Sequence, residues 1–192
     1  MNAGPVLLGA RARLSPFGAD RITQRYLDWL SDPGVNEYSR RRDMPPTTRE
    51  KAVQYLMQLQ PDENVLAIDT REHGHIGNVK YGPIDRVNKR SDLAIMVGEK
   101  AVWGQGYGME AVYLVTRWLF EIEGLERVDA GSANPAFLRL VDKLGWRVEA
   151  VQPAHVRIGR RELNWSRVAL AAKDFRRMPE FDCQEQDCFV VT

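Results

Sequence analysis

The sequence is poor in the residues that build metal centres and disulfide frameworks. Its 192 residues include only two cysteines, Cys183 and Cys188, and three histidines, His73, His75 and His155. Two cysteines close to the end of the chain make neither a disulfide scaffold nor a four-ligand zinc site. The histidines do not have the spacing of a metal motif. We therefore expect no metal, and a reducing compartment.

The sequence also lacks an excess of charge of one sign and any long apolar run. Its 27 basic and 26 acidic residues leave a formal net charge of +1, which gives no global field to draw the chain onto nucleic acid or an anionic membrane. No segment approaches the roughly 20 apolar residues of a membrane span, and no basic region followed by an apolar run marks a leader. We expect a soluble cytoplasmic protein with no nucleic-acid or membrane partner.

The composition that remains is that of one globular domain. Hydrophobic residues make up 44% of the chain and charged residues 28%, enough to build a full core. After Phe175 the sequence turns polar. We therefore predict a single domain over residues 1–175 and a loosely held tail over residues 176–192, in which the two cysteines have no catalytic role.

Hydrophobic periodicity predicts an alternation of strands and helices. The predicted strands are Val6 to Leu14, the three meander runs 64–70, 75–84 and 91–99, and the segments 127–131, 147–151 and 163–170. The predicted helices are 22–30, Thr48 to Leu59, Met109 to Glu121 and 134–144. Asp20 is predicted to cap the first and Asn134 the last, and Val53, Leu56, Met57 and Leu59 are predicted to face inward from the second. This order predicts an α+β (three-layer α/β) fold with one mixed sheet.

A glycine-rich stretch, WGQGYGMEA, joins the last meander strand to the third helix. Such a turn directs backbone N–H groups and the positive end of the helix dipole at one point, where an anion fits. Gly106, Gly108 and Ala111 also match the G-x-G-x-x-A spacing of a dinucleotide fingerprint, with Asp129 near the position of its ribose-binding acid. We reject a nicotinamide site, because the loop follows three meander strands and leaves room for only one crossover.

Several segments together resemble one known family. HIGNVKYGPI, SDLAIMVGEKAVWGQGYGMEAV and ANPAFLRLVDKLGW, with the earlier YLDWLSDPGVNEYSRRR, are similar to the GNAT N-acetyltransferases. The nearest branch contains the ribosomal-protein N-terminal acetyltransferases and the acetyltransferases of bacterial amino-sugar and polysaccharide biosynthesis. The resemblance spans residues 6–175. It implies a mixed, mostly antiparallel sheet that is flanked by helices and splayed into a V between its fourth and fifth strands, and a monomer or homodimer.

The resemblance also implies acetyl-CoA as co-substrate, held in the V. In the family, the end of the fourth strand and the glycine loop bind the pantetheine arm and the pyrophosphate through backbone groups. The positions that correspond here are Met96, Val97, Trp103, Gly104, Gln105, Gly106, Tyr107, Gly108 and Met109, with Asn134 and Phe137 along the pantetheine. Helix capping explains Asn134 equally well. Trp103 stands where many members have Gln or Arg.

Three residues bear on catalysis. The N–H of Val97 is expected to stabilise the oxyanion. Asp92 could act as a base through water, or be a solvated turn residue. The tyrosine that often protonates the leaving thiolate in this family is replaced by Val141, so either another group donates that proton or the thiolate leaves unprotonated.

The acceptor is predicted to be a primary amine of a small molecule, most readily a nucleotide-linked amino sugar. Asn78, Tyr81, Arg40 and Arg41, with the adjoining Arg42, are candidates for lining its cleft, and an arginine-lined cleft would suit a diphosphate. Acetylation of a protein N-terminus is the alternative within the same class. A CoA-binding sensor or interaction module without turnover is the alternative from another class, motivated by Val141 and the lack of an obvious base.

Overall fold

The computed structural model describes residues 4–183 and the backbone of residues 189–190. They form one sheet with the strand order β7-β8-β6-β5-β4-β3-β2-β1-β9, in which only β5 and β6 are parallel neighbours. The strands are β1 Val6–Leu8, β2 Ala12–Pro16, β3 Asn64–Thr70, β4 Gly74–Asp85, β5 Arg90–Val97, β6 Arg127–Ser132, β7 Arg147–Ile158, β8 Arg161–Ala171 and β9 Phe189–Val190. The helices are α1 Gln24–Ser31, α2 Arg49–Met57, α3 Tyr107–Glu121 and α4 Pro135–Lys143.

The predicted α+β class and the mixed, mostly antiparallel sheet are confirmed. The helices cover the two faces of the sheet separately: α3 and α4 pack on one face in the larger core, and α1 and α2 pack on the other in a smaller core. In the described part of the chain, no helix is long and apolar enough to cross a membrane. The same residues contain no group of three or more His, Cys, Asp or Glu placed to hold a metal ion.

The first predicted strand, Val6 to Leu14, is wrong. The segment is a hairpin of β1 and β2, closed where the N–H of Gly9 donates to the carbonyl of Ala12 at 2.8 Å. Ala10 and Arg11 form its two-residue turn, a connection typical of antiparallel strands. The alternation of apolar residues continues through the turn, so periodicity alone does not reveal the reversal.

The helix caps are partly as predicted. Thr48 caps α2 by accepting the N–H of Lys51 at 3.3 Å, as expected. Asp20 does not cap the first helix, because it lies within a short 3-10 turn, and Thr23 caps α1 by accepting the N–H of Tyr26. Met57, predicted to face inward, is 81% exposed at the end of α2.

The sheet opens between β5 and β6 and so has the V shape that the family resemblance implied. The two strands pair only over their first three residues, ending with Asp92 opposite Asp129. Beyond that point β5 continues to Val97 alongside β4, whereas β6 continues to Ser132 alongside β8. The resulting gap is the splay, bounded by Leu93 to Val97 on one arm and Ala130 to Ser132 on the other.

The tail is packed as far as Cys183, in contrast to the loose segment that its polar composition predicted. Phe181 is buried in the larger core, and the N–H of Met178 donates to the hydroxyl of Tyr113 at 3.1 Å. Arg117 of α3 forms an ion pair with Asp182. A buried aromatic residue and several polar contacts thus hold a segment that composition alone describes as solvent-exposed. Cys188 lies outside the described residues.

Candidate active site in the splayed sheet

The open edge of β5 presents backbone groups to the splay. The N–H of Gly98 donates to the carbonyl of Ile76 on β4 at 2.9 Å. Because backbone groups alternate in direction along a strand, the N–H and carbonyl of Val97 point the other way, into the splay. The backbone groups of Ile95 and Leu93 also point into the splay, because these residues lie two and four positions before Val97. The oxyanion donor expected at Val97 is therefore directed into the gap between the arms.

The glycine loop lies at the wide end of the splay. Gly104 and Gly106 have φ of +78° and +90°, which L side chains rarely adopt. Gly106 is the N-cap of α3 and supplies no side chain, and the first helical bond joins the N–H of Glu110 to the carbonyl of Gly106 at 3.0 Å. The N–H groups of Tyr107, Gly108 and Met109 therefore have no partner within the helix. They form a cradle for an anion at its positive end.

Gly108 fits the loop closely against the end of β5. A Cβ at this position would lie 3.3 Å from Cγ2 of Val97 and 3.5 Å from Cδ1 of Leu140. Not every loop amide is available, since the N–H groups of Trp103 and Gln105 donate to Lys100 and Val102. The expected wrapping of a pyrophosphate is thus left to Gly104 and to the amides at the start of α3.

Trp103 reaches back to the strand with its side chain. Its indole Nε1 donates to the carbonyl of Val97 at 2.9 Å, and the residue is 47% exposed. It therefore occupies one of the backbone acceptors that the open edge of β5 presents to the splay.

Asn134 caps α4, as its sequence context predicted. Its Oδ1 accepts the N–H of Ala136 at 2.9 Å, and Pro135 occupies the first turn. Phe137 is partly buried against the larger core. The helix cap alone explains Asn134, and its expected contact with pantetheine stays a prediction.

The face of the splay on the α1 side has a floor formed by β5, with one carboxylate on it. Asp92, Ala94 and Met96 share that face of β5, with Asp92 and Ala94 exposed and Met96 partly buried. Asp92 is five residues from Val97, a distance along the strand of roughly 16 Å. That separation exceeds the reach of a base that acts directly or through one water, so a proton from a group held at Val97 would need a chain of several waters to reach Asp92.

The carboxyl of Asp92 has an altered acidity. Partial burial, followed by the neighbouring Asp129 carboxylate, raises its pKa above the usual range, while Arg90, Arg167 and Lys80 oppose the shift. Asp129 itself is buried and pairs with Arg127 and Arg90. A raised pKa suits a proton acceptor, because it makes the carboxylate a stronger base.

Tyr81 is not a site residue, contrary to the prediction. It is 2% exposed and its ring lies 5.1 Å from that of Trp118, on the face covered by α3. Burial raises its pKa. Asn78 points to the opposite face but is also buried, and its Nδ2 donates to the carbonyl of Leu66 at 3.4 Å. Strand alternation thus places the two side chains on opposite faces, and neither lines an open cleft.

Two glycine–tryptophan contacts flank the splay on the α1 side. A Cβ on Gly98 would lie 2.1 Å from the ring of Trp29, and one on Gly131 would lie 2.4 Å from Nε1 of Trp165. Each indole therefore rests directly on the backbone of one arm. Trp165 was not among the predicted site residues, and a tryptophan in a strand gives no sequence signal that separates it from a core residue.

A roof closes the same side of the splay. It consists of residues 37–43 after α1, which packs on the β5 arm, and the tip of the β7–β8 hairpin, which belongs to the β6 arm. The N–H of Gly159 donates to Asp43 at 2.6 Å, and Arg161 pairs with Glu37 at 3.3 Å and lies over the ring of Tyr38. The two arms of the V are thus bridged above the floor.

The roof is rich in arginine. Arg41 donates through Nε to the carbonyl of Leu30 and therefore ties the loop to α1. Arg40, Arg42 and Arg160 are exposed and form no ion pair among the described residues. The roof as a whole holds six arginines and three acids; these are Arg40, Arg41, Arg42, Arg157, Arg160 and Arg161, with Glu37, Asp43 and Glu162. The predicted residues Arg40 and Arg41 thus belong to a cationic rim.

Val141 is part of the core. It is 1% exposed, and its carbonyl accepts the N–H of Trp146 at 3.0 Å in the turn that ends α4. A valine at this depth gives no proton donor to the splay.

A family model identifies the arrangement. The model described as "Acetyltransferase (GNAT) domain" matches residues 11–147, which include the splay, the glycine loop and α4. The chain belongs to the GNAT acetyltransferase family. As a GNAT protein it is an N-acetyltransferase, and the resemblance seen in its motifs is confirmed.

Known proteins similar to this GNAT domain are named for different substrates. The human "Alpha/beta-tubulin-N-acetyltransferase 9" is 25% identical over 162 residues, covering 75% of this chain and 76% of that protein. A Vibrio cholerae spermidine N-acetyltransferase, solved with CoA and spermine, aligns with a TM-score of 0.75 at 14% identity over 85% of this chain and 97% of that one. A Bacillus anthracis GNAT acetyltransferase aligns with a TM-score of 0.70 at 14% identity over 88% and 99%. The two structures establish the fold alone.

Proposed function

We propose that this GNAT protein transfers an acetyl group from acetyl-CoA to the primary amine of a nucleotide-linked amino sugar. The donor half of the proposal is supported by the fit of the site to a diphosphate. Three helix-start amides have no partner within the helix, and Gly106 and Gly108 leave no side chain between them and the splay. Gly104, Gly106, Tyr107, Gly108 and Met109 would hold the pyrophosphate, and Val97 the pantetheine arm. When bound, the thioester supplies an activated acetyl group.

The arginine-rich roof is the observation that carries the acceptor half. Arg40, Arg42 and Arg160 are exposed and form no ion pair among the described residues, so they add positive charge to the roof that bridges the two arms. Guanidinium groups match the geometry of phosphate oxygens, so this rim favours an acceptor whose anionic part lies apart from its amine. A nucleotide-linked amino sugar has that form, with a diphosphate on one side and a neutralisable amine on the other. A polyamine would instead meet like charge.

The chain's own residues then have distinct tasks. The N–H of Val97 faces the splay and can donate to the oxygen that becomes negative during acyl transfer. Asp92, with its raised pKa, can be the final acceptor of the amine proton only through a chain of several waters along the floor. Trp29 and Trp165 flank the gap and limit the access of water. Because Val141 is buried in the core, we propose that the thiolate leaves without a proton from α4.

Protein N-terminal acetylation is the second candidate, and the human tubulin acetyltransferase relative favours it. The third candidate is a CoA-binding protein without turnover, favoured by the absence of a proton donor at Val141. These alternatives differ in what they require of the roof: a peptide with basic residues would be repelled by Arg40 and Arg42, whereas a sensor would need no acceptor at all.

Thiol release with a panel of amines tests the proposal. We expect steady-state release from acetyl-CoA with a uridine-diphosphate-linked amino sugar, and much less with the free amino sugar, a peptide N-terminus or spermidine. The variant R40A/R42A should raise KM for the nucleotide-linked acceptor at least tenfold and leave KM for acetyl-CoA unchanged. The control R13A/R176A removes two exposed arginines outside the roof and should leave the acceptor KM within threefold. Faster release with the peptide would favour the second candidate, and no release with any amine despite CoA binding the third.

A further inference from the structure

We infer that Arg11, in the turn between β1 and β2, binds a phosphate of the nucleotide half of acetyl-CoA. The inference rests on the proposed function, since it requires the donor to occupy the splay. It assigns a role to a residue that lies far from the glycine loop in sequence and outside the motifs of the resemblance. Three observations support it: the contacts that anchor Arg11, the contacts that orient its guanidinium, and one guanidinium nitrogen that has no acceptor among the described residues.

The anchor is a buried carboxylate. Glu110, in the first turn of α3, is fully buried, and its Oε1 accepts the N–H groups of Arg11 at 2.7 Å and Ala12 at 3.0 Å. Its Oε2 pairs with Nε of Arg11 at 3.2 Å. Gly9 makes room for this carboxylate, because a Cβ there would lie 2.4 Å from Oε1. A buried charge needs such partners, so the turn and the inner edge of the guanidinium are held on α3.

The orientation places the guanidinium at the glycine loop. Its Nη1 donates to the carbonyl of Gln105 at 2.9 Å, and the group lies 4.9 Å from the centre of the Tyr107 ring. The hydrogen bond, the ring contact and the ion pair with Glu110 together fix the orientation of the guanidinium. The guanidinium is planar and rigid, unlike the ammonium group of a lysine. The guanidinium therefore sits beside the start of α3 in a fixed plane.

The remaining nitrogen, Nη2, lies where an anion would be bound. It is the nearest atom, at 3.0 Å, to the position that a Cβ on Gly106 would occupy, and it has no hydrogen-bond acceptor within the described part of the chain. The side chain of Arg11 is 44% exposed, so Nη2 remains accessible to a ligand. Lys100, which precedes the loop, is instead paired with Asp32 at 2.6 Å.

The chemistry of this corner suits a phosphate. The amides of Tyr107, Gly108 and Met109 and the helix dipole already favour an anion. A guanidinium at its side adds charge-assisted hydrogen bonds to phosphate oxygens. The diphosphate and the 3′-phosphate of CoA both present such oxygens, and the test below separates them.

Equilibrium binding, which needs no turnover, tests the inference by calorimetry. We expect R11A to bind CoA about 10- to 100-fold more weakly than the wild type, the effect of losing a hydrogen bond to a charged group. The matched control R13A removes an exposed arginine from the same hairpin and should change the dissociation constant less than threefold. If the R11A defect persists with dephospho-CoA, Arg11 contacts the diphosphate; if it vanishes, Arg11 contacts the 3′-phosphate. An R11A dissociation constant no larger than that of R13A would overturn the inference.

A second variant guards against a purely structural effect. R11A leaves the Glu110 carboxylate buried without its guanidinium, which could loosen the loop. In R11A/E110Q that charge is removed as well, so thermal stability should recover partly while CoA binding stays as weak as in R11A. Recovery of wild-type affinity in the double variant would show that Arg11 only compensates Glu110, and would overturn the inference. Failure of the wild-type protein itself to bind CoA would refute the proposed donor instead.

Discussion

The indole of Trp103 donates a hydrogen bond to the carbonyl oxygen of Val97, across the wide end of the splayed sheet. Both residues were expected to contact the donor, one through its loop amide and the other through the strand. The side-chain contact joins them directly and occupies a backbone acceptor that faces the splay.

We predict that a ligand bound at this carbonyl displaces the indole from it, and fluorescence should report the movement. We expect CoA to change the intrinsic fluorescence of the wild-type protein, and W103F to lose most of that change. W103F should bind CoA within about fivefold of wild type, because a neutral hydrogen bond has a net value of only about 1 kcal/mol. A W103F signal as large as that of the wild type would show that the indole is not displaced.

Two of the glycines with positive φ, Gly106 and Gly124, offer a matched comparison. Their φ values are +90° and +67°, and Gly124 follows α3, far from the splay. Alanine at either position should cost about 1–2 kcal/mol of folding free energy, since both backbones are left-handed. Only G106A should also weaken CoA binding, because it shifts the amides of the cradle. Equal binding by G106A and G124A would contradict the cradle.

The protonation of Asp92 should control how kcat falls at acidic pH. We expect D92N to lower kcat by about 10²-fold, the lower end of the range for losing a general base, because the proton must reach Asp92 through several waters. The acidic inflection in the profile of kcat against pH, which should lie above the ordinary value near 3.9, should disappear. An acceptor amine that binds already neutral would not need this base. A D92N kcat within about threefold of wild type would therefore remove Asp92 from the mechanism.

The stability of the same variant provides an independent check on its pKa. A carboxyl whose pKa is raised on folding stabilises the protein when protonated, and that contribution is lost as pH rises through the raised value. D92N should therefore be more stable than the wild type at pH 7 and equal to it near pH 3. The opposite order at pH 7 would mean that the Asp92 carboxylate is favourably paired.

Position 141 should not tolerate the tyrosine that is common in the family at this point of the helix. Val141 is 1% exposed among core side chains. Inserting a ring there should cost about 1–3 kcal/mol through overpacking, without a gain in kcat. The melting temperature and kcat of V141Y check this, and V141I is the control for added volume without a hydroxyl. A rise in kcat specific to V141Y would show that position 141 can reach the leaving group.

Local signals in the sequence predicted the parts of the site that local chemistry determines. Asn134 and Thr48 cap their helices because their side chains reach amides two or three residues on, and Gly106 ends the loop because its φ demands glycine. The family motifs located the splay for the same reason: strand, loop and helix follow each other directly.

The residues that sequence reasoning missed or misplaced depend on distant contacts. Arg11 meets Glu110 from 99 positions away, and nothing near either residue marks a buried ion pair. Tyr81 is a wrong candidate for the cleft, and periodicity does not choose its face, because side chains on both faces of its strand are apolar. Trp165 reaches the splay only because β8 is the neighbour of β6.

A crystal structure with CoA bound tests the central claim most directly. The account predicts density for the pantetheine arm between Leu93–Val97 and Ala130–Ser132, with the diphosphate on the amides of Tyr107, Gly108 and Met109. Density for CoA outside this splay, or a diphosphate that does not touch the start of α3, would contradict it.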